Sequence, residues 1–156
     1  LFPYTTLFRS ESIVNDLHNN TRVVTAIVPA AIGANATKTG VVVDRQGYGG
    51  VEWVIGYGSV TTTGTVVTIV AFEGDVTGTM TSIADTNLLG TEALASLPAA
   101  TPRTAGTTKE VVKRLGYVGN KRYVRMNAVQ TGVTSVGVVG AAVVLHNPAV
   151  SPVANP

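Results

Sequence analysis

Short runs of β-branched residues recur along most of the chain, and each run ends at a turn rich in glycine, threonine or proline. Apolar and polar residues alternate within several of these runs, which is the pattern of half-buried strands and not of helices. We count about eight strands on this criterion, with room for short helices only. The pattern predicts an all-β single domain, built as a β-sandwich or a jelly roll.

The composition agrees with a folded, contact-forming protein. The chain has 156 residues, a length typical of one domain. Hydrophobic residues make up 45% and charged residues 13%, so the chain can bury a core but has few charges to cover its surface. We therefore expect a homo-oligomer, or a partner that covers part of the surface. There is no cysteine, which excludes disulfides and thiolate chemistry.

Three segments define the expected core. In residues 51–57 the odd positions share one face, and we expect Trp53 to be a core anchor. Residues 65–72 are apolar on both faces, which predicts an interior strand. Residues 136–145 are apolar on both faces as well, and predict either the centre of a sheet or a subunit interface. Together with the basic strand before them, they are expected to form a hairpin-like unit over residues 115–148.

Basic residues concentrate in one part of the chain. Between positions 103 and 125 there are seven basic residues and one acidic residue, whereas the remainder carries four basic and eight acidic residues. Two interpretations stay open: an ordinary solvated strand face, or a basic face that meets an acidic partner. On the second interpretation, the expected partner contacts are Lys113, Arg114, Tyr117, Lys121, Arg122, Tyr123 and Arg125.

The sequence shows no motif for bond-making chemistry. The two histidines, His18 and His146, have no catalytic pattern around them. The glycine-rich residues 44–50 precede a strand and not a helix, which argues against a phosphate-binding loop. The acidic turn around Glu73 lacks the evenly spaced oxygen ligands of a calcium loop. We therefore predict a protein that is not an enzyme and has no catalytic residues, metal site or cofactor.

Membrane and nucleic-acid partners are not expected either. The longest apolar run is about half the length of a membrane-spanning helix. The basic residues are not continuous, and aromatic residues are few, which disfavours nucleic-acid binding. A carbohydrate-binding module that uses Trp53, Tyr48 and Tyr57 stays open as an alternative.

The first ten residues, LFPYTTLFRS, resemble the conceptual translation of a common sequencing adapter. We exclude them from the fold and expect a metagenomic or draft-assembly source. The expected division is an adapter-like segment at residues 1–10, an N-terminal arm at 11–21, a β-sandwich domain at 22–146 and an extended proline-rich tail at 147–156.

Five segments together resemble a known protein family. They are DLHNNTRVVTAIVPAAI, VVVDRQGYGGVEWVI, EGDVTGTMTSIADTNLLGTEA, KRLGYVGNKRYVRM and GAAVVLHNPAVSPV, in this order from Asp16 onward. The chain is similar here to small structural proteins of tailed bacteriophages and prophages, encoded beside the major capsid protein. The resemblance implies a head-decoration or minor capsid protein that binds the major capsid protein on the capsid exterior, after assembly in the host cytoplasm. A tail or neck protein is the alternative.

Overall fold

The structure is a computed structural model that describes residues 16–58, 64–98, 110–133, 137–151 and 153. The adapter-like segment, residues 11–15 of the expected N-terminal arm and part of the proline-rich tail lie outside these residues. The strands are β1 (Thr21–Ile32), β2 (Thr37–Thr39), β3 (Val43–Asp44), β4 (Tyr48–Tyr57), β5 (Val66–Val76), β6 (Thr79–Ser82), β7 (Leu88–Leu89), β8 (Val111–Tyr117), β9 (Tyr123–Thr131) and β10 (Gly137–Pro148). The helical pieces are α1 (Leu17–Asn20), a 3₁₀ turn (Asp85–Asn87) and α2 (Glu92–Ala95).

The described strands form two antiparallel sheets. Sheet A has the order β1-β10-β4-β8-β7, and sheet B has the order β2-β9-β5-β6, with β3 also paired to β9. If β2 and β3 are taken as one interrupted strand, the order 1-10-4-8 opposite 2-9-5-6 is that of a jelly roll, in which the chain alternates between sheets. The predicted all-β fold, a sandwich of jelly-roll type, is thus confirmed.

The expected hairpin over residues 115–148 is wrong. Strand β9 lies in sheet B and β10 in sheet A, and they do not pair. Both edges of β10 are already hydrogen-bonded in antiparallel register, one to β1 and the other to β4. The turn signals between β9 and β10 mark a crossover between sheets, because a turn-rich segment can connect strands of either the same sheet or different sheets.

The core lies between the two sheets and is built from the alternating faces that the sequence shows. Trp53 is fully buried, and its neighbours on the same face of β4 are buried with it, which confirms the expected anchor. Strand β5 lies inside sheet B and β10 inside sheet A, as expected for strands that are apolar on both faces. The inward residues include Val51, Ile55, Leu115, Val139, Val143 and Leu145 from sheet A and Val67, Ile69, Ala71, Val124, Met126 and Ala128 from sheet B.

Strand β1 contains Pro29 and continues to Ile32. Its pairing with β10 shifts register twice, between Thr25 and Ile27 and between Ile27 and Ala30. These irregularities remove Pro29 from the regular ladder, in which it could not donate a hydrogen bond. The bulged strand passes close over β10, since a Cβ on Gly140 would lie 2.9 Å from the Pro29 ring.

Helix α2 and the residues after it cap the half of β5 that β6 does not cover. The N–H of Val67 donates to the Leu97 carbonyl at 2.9 Å, that of Ile69 to the Ser96 hydroxyl at 2.8 Å, and that of Ala71 to the Glu92 carboxylate at 2.5 Å. The three donors are on alternate residues, as they would be opposite a neighbouring strand. This segment therefore closes an edge that would otherwise be open to strand addition.

Candidate partner-contact surfaces

The basic residues expected at a partner contact do not share one surface. Lys113 and Arg114 belong to β8 in sheet A, whereas Tyr123 and Arg125 belong to β9 in sheet B. Lys121 and Arg122 lie in the crossover between these strands. The concentration of charge in the sequence is thus divided between the two sides of the sandwich, because the chain changes sheet in the middle of it.

Lys113 is engaged within the fold. Its ammonium group donates to the carbonyl oxygens of Leu94 at 2.8 Å and Ser96 at 2.5 Å. The hydroxyl of Tyr57 donates to the intervening Ala95 carbonyl at 2.8 Å. These bonds satisfy the carbonyls at the end of α2, which have no partner inside a single helical turn. Lys113 thus fastens α2 to sheet A.

Tyr117 is a core residue that connects the two sheets. It is 1% exposed, and its hydroxyl donates to the carboxylate of Glu73 on β5. The same oxygen accepts from the backbone N–H of Lys121 at 3.0 Å. Burial, with the hydrogen bond to Glu73 as the second cause, raises the pKa of Tyr117 to about 12. The phenol therefore stays protonated and acts as a donor across the physiological range.

Aromatic and cationic neighbours complete this cluster. The Trp53 ring packs edge-on to the Tyr117 ring, with centroids 6.5 Å apart. The Arg45 guanidinium lies over the Tyr117 ring, 5.5 Å from the ring centroid. The Nε of Arg45 donates to the Lys121 carbonyl at 3.1 Å. Glu73, expected in the acidic turn, lies on β5 and is 9% exposed. The cluster therefore joins β5, β8 and the segment after β3.

Three of the basic side chains have acidic partners. Lys121 contacts Asp75 at 2.6 Å, and the guanidinium of Arg122 contacts both carboxylate oxygens of Asp44, the shortest at 2.7 Å. These hydrogen bonds lower the pKa of Asp44 and raise the pKa of Lys121. Arg114 lies farther from its partner Glu52, at 3.7 Å. Three of the five basic residues that the structure describes in this part of the chain thus lie beside a carboxylate.

The outer face of sheet B carries stacked cations and aromatic rings. The Arg122 guanidinium lies 5.0 Å from the Tyr123 ring centroid, and that of Arg125 lies 5.0 Å from the Phe72 ring centroid. Arg125 and Phe72 are directly opposite each other on β9 and β5. We call Phe72, Arg122, Tyr123 and Arg125 the stacked face. Half-buried arginine and tyrosine side chains of this kind are common anchors of protein interfaces.

The outer face of sheet A is apolar and shallow, and the sequence analysis did not identify it as a site. A groove of about 600 Å³ runs across β1, β10, β4 and β8. Its outward side chains are small, and the signal for it was the Gly/Ala/Val pattern of residues 136–145. We call this the small-residue groove, lined by Val23, Thr25, Pro29, Val54, Gly56, Val112, Val138, Gly140 and Ala142.

Three other features considered from the sequence are a sugar-binding surface, a metal site and a membrane-spanning segment. Trp53 and Tyr57 are at most 3% exposed, so their rings offer no surface on which a sugar could stack. Within the described ranges there is no group of three or more histidine or acidic side chains placed to hold a metal ion. No helix of the described chain has the length and apolar character that a membrane span requires.

Comparison with known proteins gives no match: no family model, no curated protein and no solved structure is similar to this chain at a significant level.

Proposed function

We propose that this chain is a structural protein of a tailed-phage virion, which binds the shell of the major capsid protein as a head-decoration or minor capsid protein. The resemblance of its five sequence segments to phage structural proteins supports this. The jelly-roll topology is compatible with it, since viral capsid domains use this fold, although lectins and cupins use it as well.

The observation that carries the proposal is the stacked face of sheet B. Arginine and tyrosine side chains supply large, preorganised contact area there, because each guanidinium already rests on a ring of its own chain. A repeating shell needs only modest single contacts, since many copies bind at once. Arg122, Tyr123 and Arg125 are accordingly the proposed capsid contacts, with Lys121 at the rim.

Co-sedimentation tests the proposal. The purified chain is mixed separately with empty heads and with isolated tails of the phage that encodes it, and each mixture is sedimented through a gradient. We expect the chain to move with the heads. Co-sedimentation with tails alone would support the tail or neck alternative, and failure to bind either particle would contradict a virion role.

A charge reversal locates the contact. Arg122→Glu should weaken binding to heads by at least about tenfold, because it places a negative charge at the proposed interface and against Asp44. The matched control is Arg22→Glu, which changes an exposed arginine on β1 of the opposite sheet, outside the stacked face and the small-residue groove, and should leave the binding intact. Equal losses in both variants would contradict the assignment to the stacked face.

A further inference from the structure

The small-residue groove is an unusual surface for a protein that stands alone in water. Three valines on it are well exposed: Val112 at 73%, Val23 at 55% and Val138 at 45%. Between them lie Gly56 and Gly140, which face each other on β4 and β10. A Cβ placed on Gly56 would have only one neighbour, at 3.9 Å, so the floor of the groove is open at Gly56, whereas the Pro29 ring of the same chain covers Gly140. Contiguous apolar surface of this kind is typical of an interface.

The charges beside the groove specify what fits there. Val112 and Arg114 are alternate residues of β8 and therefore share one face of the strand, and Glu110, which directly precedes the strand, lines the same groove as Val112. Both charged residues are exposed, and they stand on either side of Val112 at a separation of about 13 Å. An acidic, an apolar and a basic side chain therefore follow one another along the edge of the groove, in the order Glu110, Val112 and Arg114.

This line of side chains is complementary to itself after a half-turn. A two-fold axis through Val112 brings Glu110 of each copy opposite Arg114 of the other, and places the two valines together at the centre. In a two-fold interface every contact occurs twice, so one favourable pair becomes two. If the two β8 strands ran parallel across the interface, Glu110 would instead lie opposite Glu110 and Arg114 opposite Arg114.

Arg114 is available for such a contact. Its side chain is 83% exposed, and its 3.7 Å distance to Glu52 is the longest of the three ion pairs found among the described residues. By contrast, Lys121 and Arg122 hold their carboxylates at 2.6 and 2.7 Å. A second acidic partner can therefore approach Arg114 without breaking a tight pair.

We propose that the small-residue groove binds a second copy of this chain, in an isologous dimer whose two-fold axis passes near Val112. The two Val112 side chains pack against each other at the axis, beside the open floor at Gly56, and reciprocal Glu110–Arg114 pairs border the contact. This goes beyond the proposed function and does not depend on it. Because sheets A and B are opposite layers, such a dimer leaves both stacked faces exposed, and two linked binding faces bind a repeating surface more tightly than one.

Charge swapping tests the dimer. The full chain and its variants are compared by size-exclusion chromatography with light scattering, over a concentration series. The wild type should be dimeric, and Arg114→Glu should raise the dimer dissociation constant by at least about tenfold, since two like-charge contacts form per dimer. The double variant Glu110→Arg with Arg114→Glu should regain most of the affinity, because the swapped pair is again complementary across the axis.

A second variant tests the groove itself without touching a charge. Gly56→Leu fills the open floor and should make the chain monomeric, while its circular dichroism spectrum stays that of the wild type. The matched control is Val118→Lys, which changes a valine that is 54% exposed but lies outside the groove, and should remain dimeric.

Three results would overturn the proposal. They are a wild type that stays monomeric over the whole concentration series, a dimer that persists in folded Gly56→Leu, and a double charge swap that is no better than Arg114→Glu alone. The last result would assign the effect of Arg114 to its own Glu52 and not to a second copy.

Discussion

The two outer faces of the sandwich differ although their inner faces are alike. On sheet B, Arg125 rests on Phe72 and Arg122 rests on Tyr123, so charge and apolar surface satisfy each other within one chain. On sheet A, Gly56, Gly140 and their neighbours leave apolar surface without long side chains to cover it. Long amphipathic side chains shield apolar surface from water, and small ones do not. Sheet A therefore leaves more apolar surface uncovered within the single chain, and this is the basis of the dimer proposed above.

The largest loss of stability is expected from a mutation in the core that lies between the two sheets. Trp53→Ala removes a fully buried ring between the sheets and should lower the free energy of unfolding by about 3–5 kcal/mol. Urea denaturation followed by circular dichroism measures this. Both outer faces should lose their binding together if they depend on one core. Loss at one face alone would show that the two sheets are ordered separately.

The second-largest loss of stability is expected from the hydrogen bond between Tyr117 and Glu73, which connects the two sheets. Tyr117→Phe leaves the buried Glu73 carboxylate without its hydroxyl donor and should lower the unfolding free energy by about 1–3 kcal/mol. Denaturation at neutral pH measures the loss. A change within experimental error would contradict the assignment of this hydrogen bond as a structural tie.

The same two proteins, wild type and Tyr117→Phe, can be compared at alkaline pH. Folding raises the pKa of Tyr117 to about 12, so its contribution is fully present below the ordinary tyrosine value of 10.0 and is lost as the pH rises toward 12. The stability difference between wild type and Tyr117→Phe should therefore shrink between pH 10 and pH 12. A difference that stays constant over this range would contradict the raised pKa.

Two glycines on the face of sheet A should respond differently to alanine. Gly140→Ala places a Cβ 2.9 Å from the Pro29 ring and should destabilise the fold by about 1–3 kcal/mol, because neither the ring nor β1 can yield easily. Gly56→Ala makes a single ordinary contact, with the Gly140 carbonyl oxygen at 3.9 Å, and should change stability by about 1 kcal/mol or less. Thermal unfolding of the two variants in parallel measures the contrast, and equal losses would contradict it.

The smallest changes in unfolding free energy are expected from one exposed-face arginine on each sheet, and they compare the two outer faces directly. Arg125→Ala removes the stacking on Phe72 and should lower the unfolding free energy by about 1 kcal/mol. Arg114→Ala removes only a long, exposed ion pair and should change it by about 0.5 kcal/mol or less. Denaturation midpoints measure both. If Arg114 proved the more important arginine for the stability of one chain, the contrast between the faces would fail.

Local pattern was a good guide to which residues face inward. The alternation through Val51, Trp53 and Ile55 has the burial that its periodicity predicts, whereas the doubly apolar β10 is central in sheet A but is buried only on its inward face. Pairing could not be predicted in the same way. The turn before β10 looks like a hairpin turn, yet β10 pairs with β1 and β4, which are distant in the sequence. Local residues determine that a chain reverses direction, but the competition among all strands determines where it pairs.

The candidate site was predictable only in part for the same reason. Arg122, Tyr123 and Arg125 were expected to be contact residues because of the concentration of basic charge, and the structure places them on one side of the sandwich. Lys113 and Tyr117 belong to the same charge run, yet their side chains serve α2 and the sheet connection. No sequence pattern distinguishes these two groups, because the difference lies in which sheet each strand joins.

The amino-acid sequence alone determined that this chain is all-β and which side of each strand turns inward, because side-chain alternation is a property of neighbouring residues. Only the tertiary structure divided the basic segment between two layers and brought Gly56 and Gly140 together as the floor of a groove. Such features join residues that are far apart along the chain, so they exist only once the sheets have assembled.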